Sequence, residues 1–300
     1  MENIFGSNHF NTIATCLKKE FGCRIIKLSL DAGFTCPNRD GSKGIGGCIF
    51  CSDDGSGHFA STIPEQIELL SSKWPTGKYI AYFQSHTNTY APVNILRKFY
   101  EDALAYPNIV GLSIATRPDC LSKEVLDLLE EFNQKTYLWI ELGLQTMHDR
   151  TRNRLNCGYS LADFEEAMRQ LKMRNIKTVV HLILGLPWET KKDMLDSVSY
   201  VGKLHPFGVK LHLLHVIKNT SLADFYPSEF KTFEKNEYIN LVVDALEQLP
   251  QDITIHRITG DAPANELIAP LWSVDKRSIL NGVQKEFKRR ESFQGKYCTE

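Results

Sequence analysis

Short apolar runs rich in Ile, Val, Leu and Tyr alternate with segments of helical spacing along almost the whole chain, and this alternation leaves few folds open. Six such runs stand out, at 24–30, 79–83, 109–115, 137–144, 178–184 and 209–216. A run such as IVGLSIA is apolar at nearly every position, the pattern of a strand buried on both faces. Between the runs, Val125, Leu128, Leu129 and Phe132 form one helical stripe. Leu161, Phe164, Met168 and Leu171 form another, opened by Ser160 and Asp163 in capping-box spacing. Strands alternating with helices imply right-handed crossovers onto a parallel sheet. The fold class is therefore α/β, as a partial (β/α)6 TIM-like barrel or as an open doubly wound sheet, and both place ligands at the C-terminal ends of the strands.

The organisation expected is a lead-in helix over 1–22 with Ile13, Leu17 and Phe21 on one face, a core over 23–256, and an extension over 257–300 packed against it. A helix near 234–248, a short strand at 253–258 and a last helix over 274–290 complete the pattern. With 42% hydrophobic and 24% charged residues, the 300-residue chain can bury a large core. Its 35 basic and 36 acidic side chains leave a net charge of −1, so no global field draws it to nucleic acid or to an anionic membrane. No apolar run approaches the ~18 residues of a membrane span. The first residues, MENIFGSNHF, have neither a basic nor an apolar signal region, which leads us to expect a soluble cytoplasmic chain with no membrane partner.

Eight cysteines are too sparse for a secreted disulfide scaffold, and in a reducing compartment clustered thiols mark a metal or redox site. Cys36, Cys48 and Cys51 stand in a C-x11-C-x2-C pattern just after the first apolar run. Their loop also carries Gly33, Gly41, Gly44, Gly46 and Gly47, so it can fold tightly around a bound object. The C-x2-C pair has the spacing of two thiolates on one metal or cluster. Structural zinc sites close with four protein ligands, and a fourth local cysteine is missing, which favours an iron–sulfur cluster with one iron open to a substrate. His58 keeps a second reading alive, a zinc-containing RNA-binding module.

Three cysteines after the first strand, the last preceded by the aromatic Phe50, resemble the radical S-adenosylmethionine (radical SAM) superfamily, whose usual spacing is C-x3-C-x2-C. The longer first gap is similar to that of the Elongator catalytic subunit. LSIATRPDC at 112–120, IELGLQT at 140–146 and HLILGLPWET at 181–190 resemble the segments that follow the third, fourth and fifth strands there. YFQSHTNTYAP at 82–92 and RITGDAP at 257–263 look like signatures of the YtqA/YhcC family. The resemblance covers residues 24–216 continuously and implies a partial barrel of the radical SAM type with an N-terminal helix and a C-terminal helical extension.

It further implies a 4Fe–4S cluster on Cys36, Cys48 and Cys51 that binds S-adenosylmethionine and cleaves it to a 5′-deoxyadenosyl radical, with electrons from a donor such as flavodoxin or ferredoxin. Phe50 would pack on the adenine, Gln145 and His181 would bond the ribose, and Gly185 would let the backbone approach the adenine. Gln84, Ser85 and His86 stand where many relatives have a Gly-Gly turn for the amino group, and Gln84 and Ser85 are candidate contacts. The Glu and Arg that often clamp the methionine moiety are replaced by Ala115 and Cys157, so Arg117, Arg152 or Arg154 would take the carboxylate. Glu141, within an apolar run, is either a cofactor contact or one half of a structural ion pair. His212 and His215, three apart, read as satisfied core or surface residues, and no catalytic acid or base is assigned.

The resemblance implies tRNA as partner, and for the YtqA branch, of MnmL type, conversion of carboxymethylaminomethyluridine to aminomethyluridine at the wobble position. A small-molecule substrate of the same radical chemistry is the alternative. Lys276, Arg277, Lys285, Lys288, Arg289 and Arg290 on the last helix either meet phosphates or form a solvated face. Arg150, Arg152 and Arg154 suggest a basic rim near the cofactor motifs.

Overall fold

The computed structural model describes residues 3–5, 8–53, 55 and 57–298. A helix α1 (Ile13–Phe21) precedes β1 (Ile25–Leu30), α2 (Ile63–Ser71), β2 (Lys78–Phe83), α3 (Val93–Leu104), β3 (Ile109–Thr116) and α4 (Lys123–Lys135). Then come β4 (Tyr137–Gln145), α5 (Asp149–Arg154), α6 (Leu161–Met173), β5 (Lys177–Leu184), α7 (Lys191–Leu204), β6 (Gly208–Leu213) and β7 (Val216–Ile217). The chain ends with α8 (Lys235–Gln248), β8 (Thr254–Arg257), β9 (Leu267–Ala269) and α9 (Lys276–Arg289). The main sheet runs in the order β1-β2-β3-β4-β5-β6-β8, which follows the chain without reversal. A doubly wound sheet needs a switch point in its strand order, so this order belongs to the partial barrel. Among the described residues, no helix is long and apolar enough to cross a membrane.

Two expectations need correction. The lead-in helix does not occupy 1–22: α1 begins at Ile13, and positions 1, 2, 6 and 7 lie outside the described residues. The run at 209–216 is not one strand either. β6 stops at Leu213, and β7 leaves to pair antiparallel with β9 in a second, two-stranded sheet. The strand at 254–257 joins the main sheet beside β6, which gives it a seventh strand.

The chain divides into two units, Ala14–Gly143 with Asn156–Val179, and Met1–Ile13 with Leu144–Leu155 and Val180–Glu300. In the first, β1, β2, β3 and β4 pair in parallel in succession. The β1 side chains alternate, Ile26, Leu28 and Leu30 being buried and Ile25, Lys27 and Ser29 half-buried, whereas β3 is buried at every position but Val110. Helix α4 is capped by Ser122 and buries Val125, Leu128, Leu129 and Phe132; α6 carries the Ser160–Asp163 capping box and buries Phe164, Met168 and Leu171. In the second unit, α9 buries Ile279, Val283 and Phe287, and His9 and Phe10 pack on the Phe287 ring. Gln294 ties the same region down by donating to the Pro250 and Ile253 carbonyls.

Candidate functional site

In the first unit the segment joining β1 to α2 is the cysteine loop, held in shape by side chains that bond its backbone. Arg39 reaches back to donate to the Cys51 and Ser52 carbonyls at 3.2 and 2.5 Å. Gly47 lies under that guanidinium: its φ is +74°, and a Cβ there would sit 2.8 Å from Arg39 Nε, so only glycine fits beside Cys48. The Cys51 amide donates to the Cys48 carbonyl at 3.0 Å, the turn that a C-x2-C pair needs. Asn156 donates to the Ile45 and Gly47 carbonyls, at 3.2 and 2.7 Å, and fixes the loop from outside.

Cys36 and Cys48 have polar neighbours suited to sulfur. Cys36 Sγ lies 3.0 Å from Thr87 Oγ1 and 3.9 Å from His86 Nδ1. Buried Asn38 donates to Cys48 Sγ at 3.5 Å and to the Asn156 carbonyl at 3.1 Å. The Cys157 thiol, with no exposed surface, hydrogen-bonds Cys48, and this bond above all holds the Cys48 thiol below its ordinary range. The same bond and burial push Cys157 up. Burial raises Cys36, against the Thr87 hydrogen bond and the Arg117 charge. Among the described residues no three His, Cys, Asp or Glu side chains stand ready as a metal set. His58 bonds Ser52 Oγ at 2.9 Å.

The loop after β2 is built on Asn88, which donates to the Phe83, Ser85 and Ala115 carbonyls and so ties the ends of β2 and β3. Ser85 Oγ is buried without a hydrogen-bond partner among the described residues, an orphan that a ligand group would satisfy. Gln84, next to Ser85 in the chain, is half-buried, and so is Phe50 beside Cys51 in the cysteine loop. At the end of β3, Arg117 grips Asp119 at 2.9 and 3.0 Å, stacks over Tyr159 at 5.0 Å, and leaves Nη1 unbonded among the described residues. Burial opposes the Arg117 charge, but Asp119 outweighs it and keeps the guanidinium protonated. Glu141 is fully buried and accepts from Lys27, Ser113 and Trp139 at 2.5, 2.9 and 3.1 Å, a structural ion pair.

In the second unit the candidates lie at the ends of β4 and β5. Gln145 closes β4 with φ +68°. His181, half-buried in β5, has its ring 5.0 Å from that of His212 on β6. Gly185 takes φ +94°, and a Cβ there would meet the Phe233 ring at 3.3 Å. His215 lies past the end of β6, bonded to Ser273 at 2.9 Å, where burial first, then Lys276 and Arg257, lowers it to about 4. The basic rim is reduced: Arg152 is buried and bonded to Thr146 and Asp149, because its long side chain turns inward, and Arg150 pairs with Asp193 at 2.7 Å. Arg154 stacks on Trp188, its Cζ 3.8 Å from the ring centre. On α9, Lys276, Arg289 and Arg290 are engaged by carboxylates of the same unit, which leaves Arg277, Lys285 and Lys288 exposed.

A sequential parallel sheet with a three-cysteine loop after its first strand is the design of a radical SAM enzyme. The sequence profile of the Radical SAM superfamily matches residues 36–201, and that of the Radical SAM C-terminal domain matches residues 206–289. The chain belongs to this superfamily, whose cofactors are a 4Fe–4S cluster and S-adenosylmethionine. It is 42% identical over 297 residues to YtqA of Bacillus subtilis, covering 96% of this chain and 92% of YtqA. It is 37% identical to YhcC of Escherichia coli, covering 90% and 87%. A tRNA uridine(34) acetyltransferase of Methanocaldococcus infernus is 29% identical over 164 residues, 53% of this chain and 30% of that protein. The solved structure of archaeal Elp3 from the same organism superposes with a TM-score of 0.68 at 19% identity, over 90% of this chain and 64% of that one, and shows the shared fold.

Sequence reasoning does not single out Asn38, Thr87 or Cys157 as neighbours of the cysteine sulfurs. Asn38 follows Cys36 by two residues and Thr87 falls in the segment 82–92, so both are within its reach. Cys157, more than a hundred residues away, carries no local signal.

Proposed function

We propose that this radical SAM enzyme modifies tRNA at the C5 side chain of the wobble uridine, converting carboxymethylaminomethyluridine to aminomethyluridine. The observation that carries the substrate class is its 29% identity to a tRNA uridine(34) acetyltransferase, joined to near full-length similarity to YtqA.

Cys36, Cys48 and Cys51 hold the cluster in this reading, with Thr87 and Asn38 placed to bond the sulfurs of Cys36 and Cys48. The donor set fits in its chemistry, although the three thiols do not stand together as a ready metal set among the described residues: three thiols on one braced loop, polar neighbours at two of them, and the unsatisfied Ser85 hydroxyl after the next strand. Ser85, with Gln84, receives the amino group of S-adenosylmethionine, and Arg117 takes the carboxylate through the Nη1 that Asp119 leaves open. Phe50 packs on the adenine. When bound, the two cofactors would supply a 5′-deoxyadenosyl radical to take a hydrogen atom from the uridine side chain; overall the carboxymethyl carbons leave as glyoxylate, one water is consumed, and S-adenosylmethionine takes up the two electrons as it becomes methionine and 5′-deoxyadenosine.

The test is anaerobic reconstitution with iron and sulfide, followed by incubation with S-adenosylmethionine, dithionite and tRNA bearing carboxymethylaminomethyluridine. Nucleoside mass spectrometry should show aminomethyluridine appearing as 5′-deoxyadenosine accumulates. Cleavage of S-adenosylmethionine with the tRNA unchanged would refute the substrate and favour a small molecule.

A further inference from the structure

Most arginines of the chain are held by carboxylates, such as Arg97 by Glu131, Arg117 by Asp119, Arg150 by Asp193 and Arg257 by Asp261. Arg154 is different. It is exposed at the end of α5, and among the described residues its guanidinium makes no ion pair and no hydrogen bond; its Cζ lies over one indole, 3.8 Å from the Trp188 ring centre. That cation–π contact leaves the N–H donors of the guanidinium available.

Trp188 is unusual in its own right. It is half-buried with φ +68°, a left-handed backbone that a bulky residue adopts only when its surroundings impose it. The surroundings do so here. The Glu189 amide turns back to the Leu186 carbonyl at 3.4 Å, Thr190 and Asp193 form a capping box at the head of α7, and Thr146 donates to Glu189 at 2.6 Å. Phe225 meets the indole edge-on, with ring centres 6.2 Å apart at 81°. The indole N–H has no partner among the described residues. A strained, braced indole carrying an uncompensated guanidinium is a built platform, and both residues follow the C-terminal ends of strands, β4 and β5, where a barrel binds its ligands.

We infer that Arg154 and Trp188 form a stacking site for an unpaired base of an RNA substrate, the base lying on the guanidinium plane and the adjacent phosphate taking its N–H edge. Planar cation on aromatic is the arrangement proteins use for splayed-out bases of single-stranded loops, and the free N–H groups match a phosphate in charge and geometry. The inference rests on the tRNA reading above and adds the side chains that hold the loop.

Fluorescence anisotropy with a labelled anticodon stem-loop transcript, at several salt concentrations, tests it. Arg154→Gln and Trp188→Ala should each weaken binding by about 5- to 100-fold, Trp188→Phe should recover most of the loss, and Arg154→Gln should flatten the salt dependence by about one phosphate contact. Arg154→Gln alters an exposed side chain, so the test survives a misfolded Trp188→Ala. Wild-type affinity in both variants would overturn the platform and leave the tRNA reading standing. A wild-type chain that binds no RNA would overturn both. Weakened binding of S-adenosylmethionine by dialysis, with RNA affinity unchanged, would reassign Arg154 to the cofactor and also overturn the platform.

Discussion

Lys27 on β1 places its ammonium 2.5 Å from the carboxylate of Glu141 on β4, and that carboxylate has no exposed surface. Ser113 and Trp139 donate to the same oxygen, and Lys27 also lies 3.6 Å above the Tyr82 ring. Four strands and five side chains thus meet around one buried ion pair. Such a pair stabilises little over an apolar substitute, but removing one partner strands the other. Lys27→Met should therefore cost about 3–5 kcal/mol, because it leaves a buried carboxylate without its cation. Glu141→Gln should cost only about 1–3 kcal/mol, since the Lys27 side chain is 25% exposed and can hydrate. Urea titration of both variants checks the order; equal stabilities for wild type and Lys27→Met would refute it.

The cysteines separate by role. Alanine at Cys36, Cys48 or Cys51 should each abolish stable iron binding after anaerobic reconstitution, whereas Cys16→Ala and Cys298→Ala should keep the wild-type iron and sulfide content. Cys157→Ala should also keep its iron, because Cys157 reaches Cys48 through a hydrogen bond and does not belong to the loop. Full iron content in any of the first three variants would remove that residue from the ligand set.

Two glycines of the loop distinguish backbone strain from bracing. Gly41 has φ +89° with nothing within 4 Å of the place an alanine methyl would take, while at Gly47 the same methyl would strike Arg39 at 2.8 Å. Gly41→Ala should lose only the left-handed penalty of about 1–2 kcal/mol and keep its iron. Gly47→Ala adds displacement of Arg39, which bonds the Cys51 and Ser52 carbonyls, and should lose iron as well as stability. Iron analysis beside thermal melting decides the matter, and equal iron in both variants would argue against the Arg39 brace.

The sequence reveals whatever is written locally. The first five strand runs, the Ser160–Asp163 cap and the C-x2-C turn all depend on residues a few positions apart, and each is found in place. The end of β6 is not legible because apolar residues continue through Val216, and hydrophobicity does not show where pairing changes from β8 to β9. Arg152 reads as a rim residue because arginine is usually exposed; only its contacts with Thr146 and Asp149 explain its burial. The Lys27–Glu141 pair joins positions 114 residues apart and needs the sheet register to be seen. Trp188 stands in the 181–190 motif, but neither its left-handed backbone nor its partner Arg154 follows from spacing.

His215 gives the second unit a pH dependence whose sign can be worked out. It is buried, bonded to Ser273 at 2.9 Å, packed against Gly260, and held at about 4, first by burial and then by Lys276 and Arg257. Asp261 faces the same two cations and pairs with both. An unfolded histidine titrates at about 6.5, so between pH 6.5 and 4 the unfolded chain takes up a proton that the folded chain refuses. The stability contributed by neutral His215 is therefore complete above about pH 6.5 and is lost as pH falls towards 4, by about 3 kcal/mol in all. His215→Gln removes the titration while keeping an amide near Ser273. Its unfolding free energy, measured by urea at about pH 7.5, 6, 5 and 4.5, should decline less steeply than that of the wild type. Parallel curves for the two proteins would mean that His215 takes up its proton as readily in the folded chain as in the unfolded one and that its burial is compensated elsewhere.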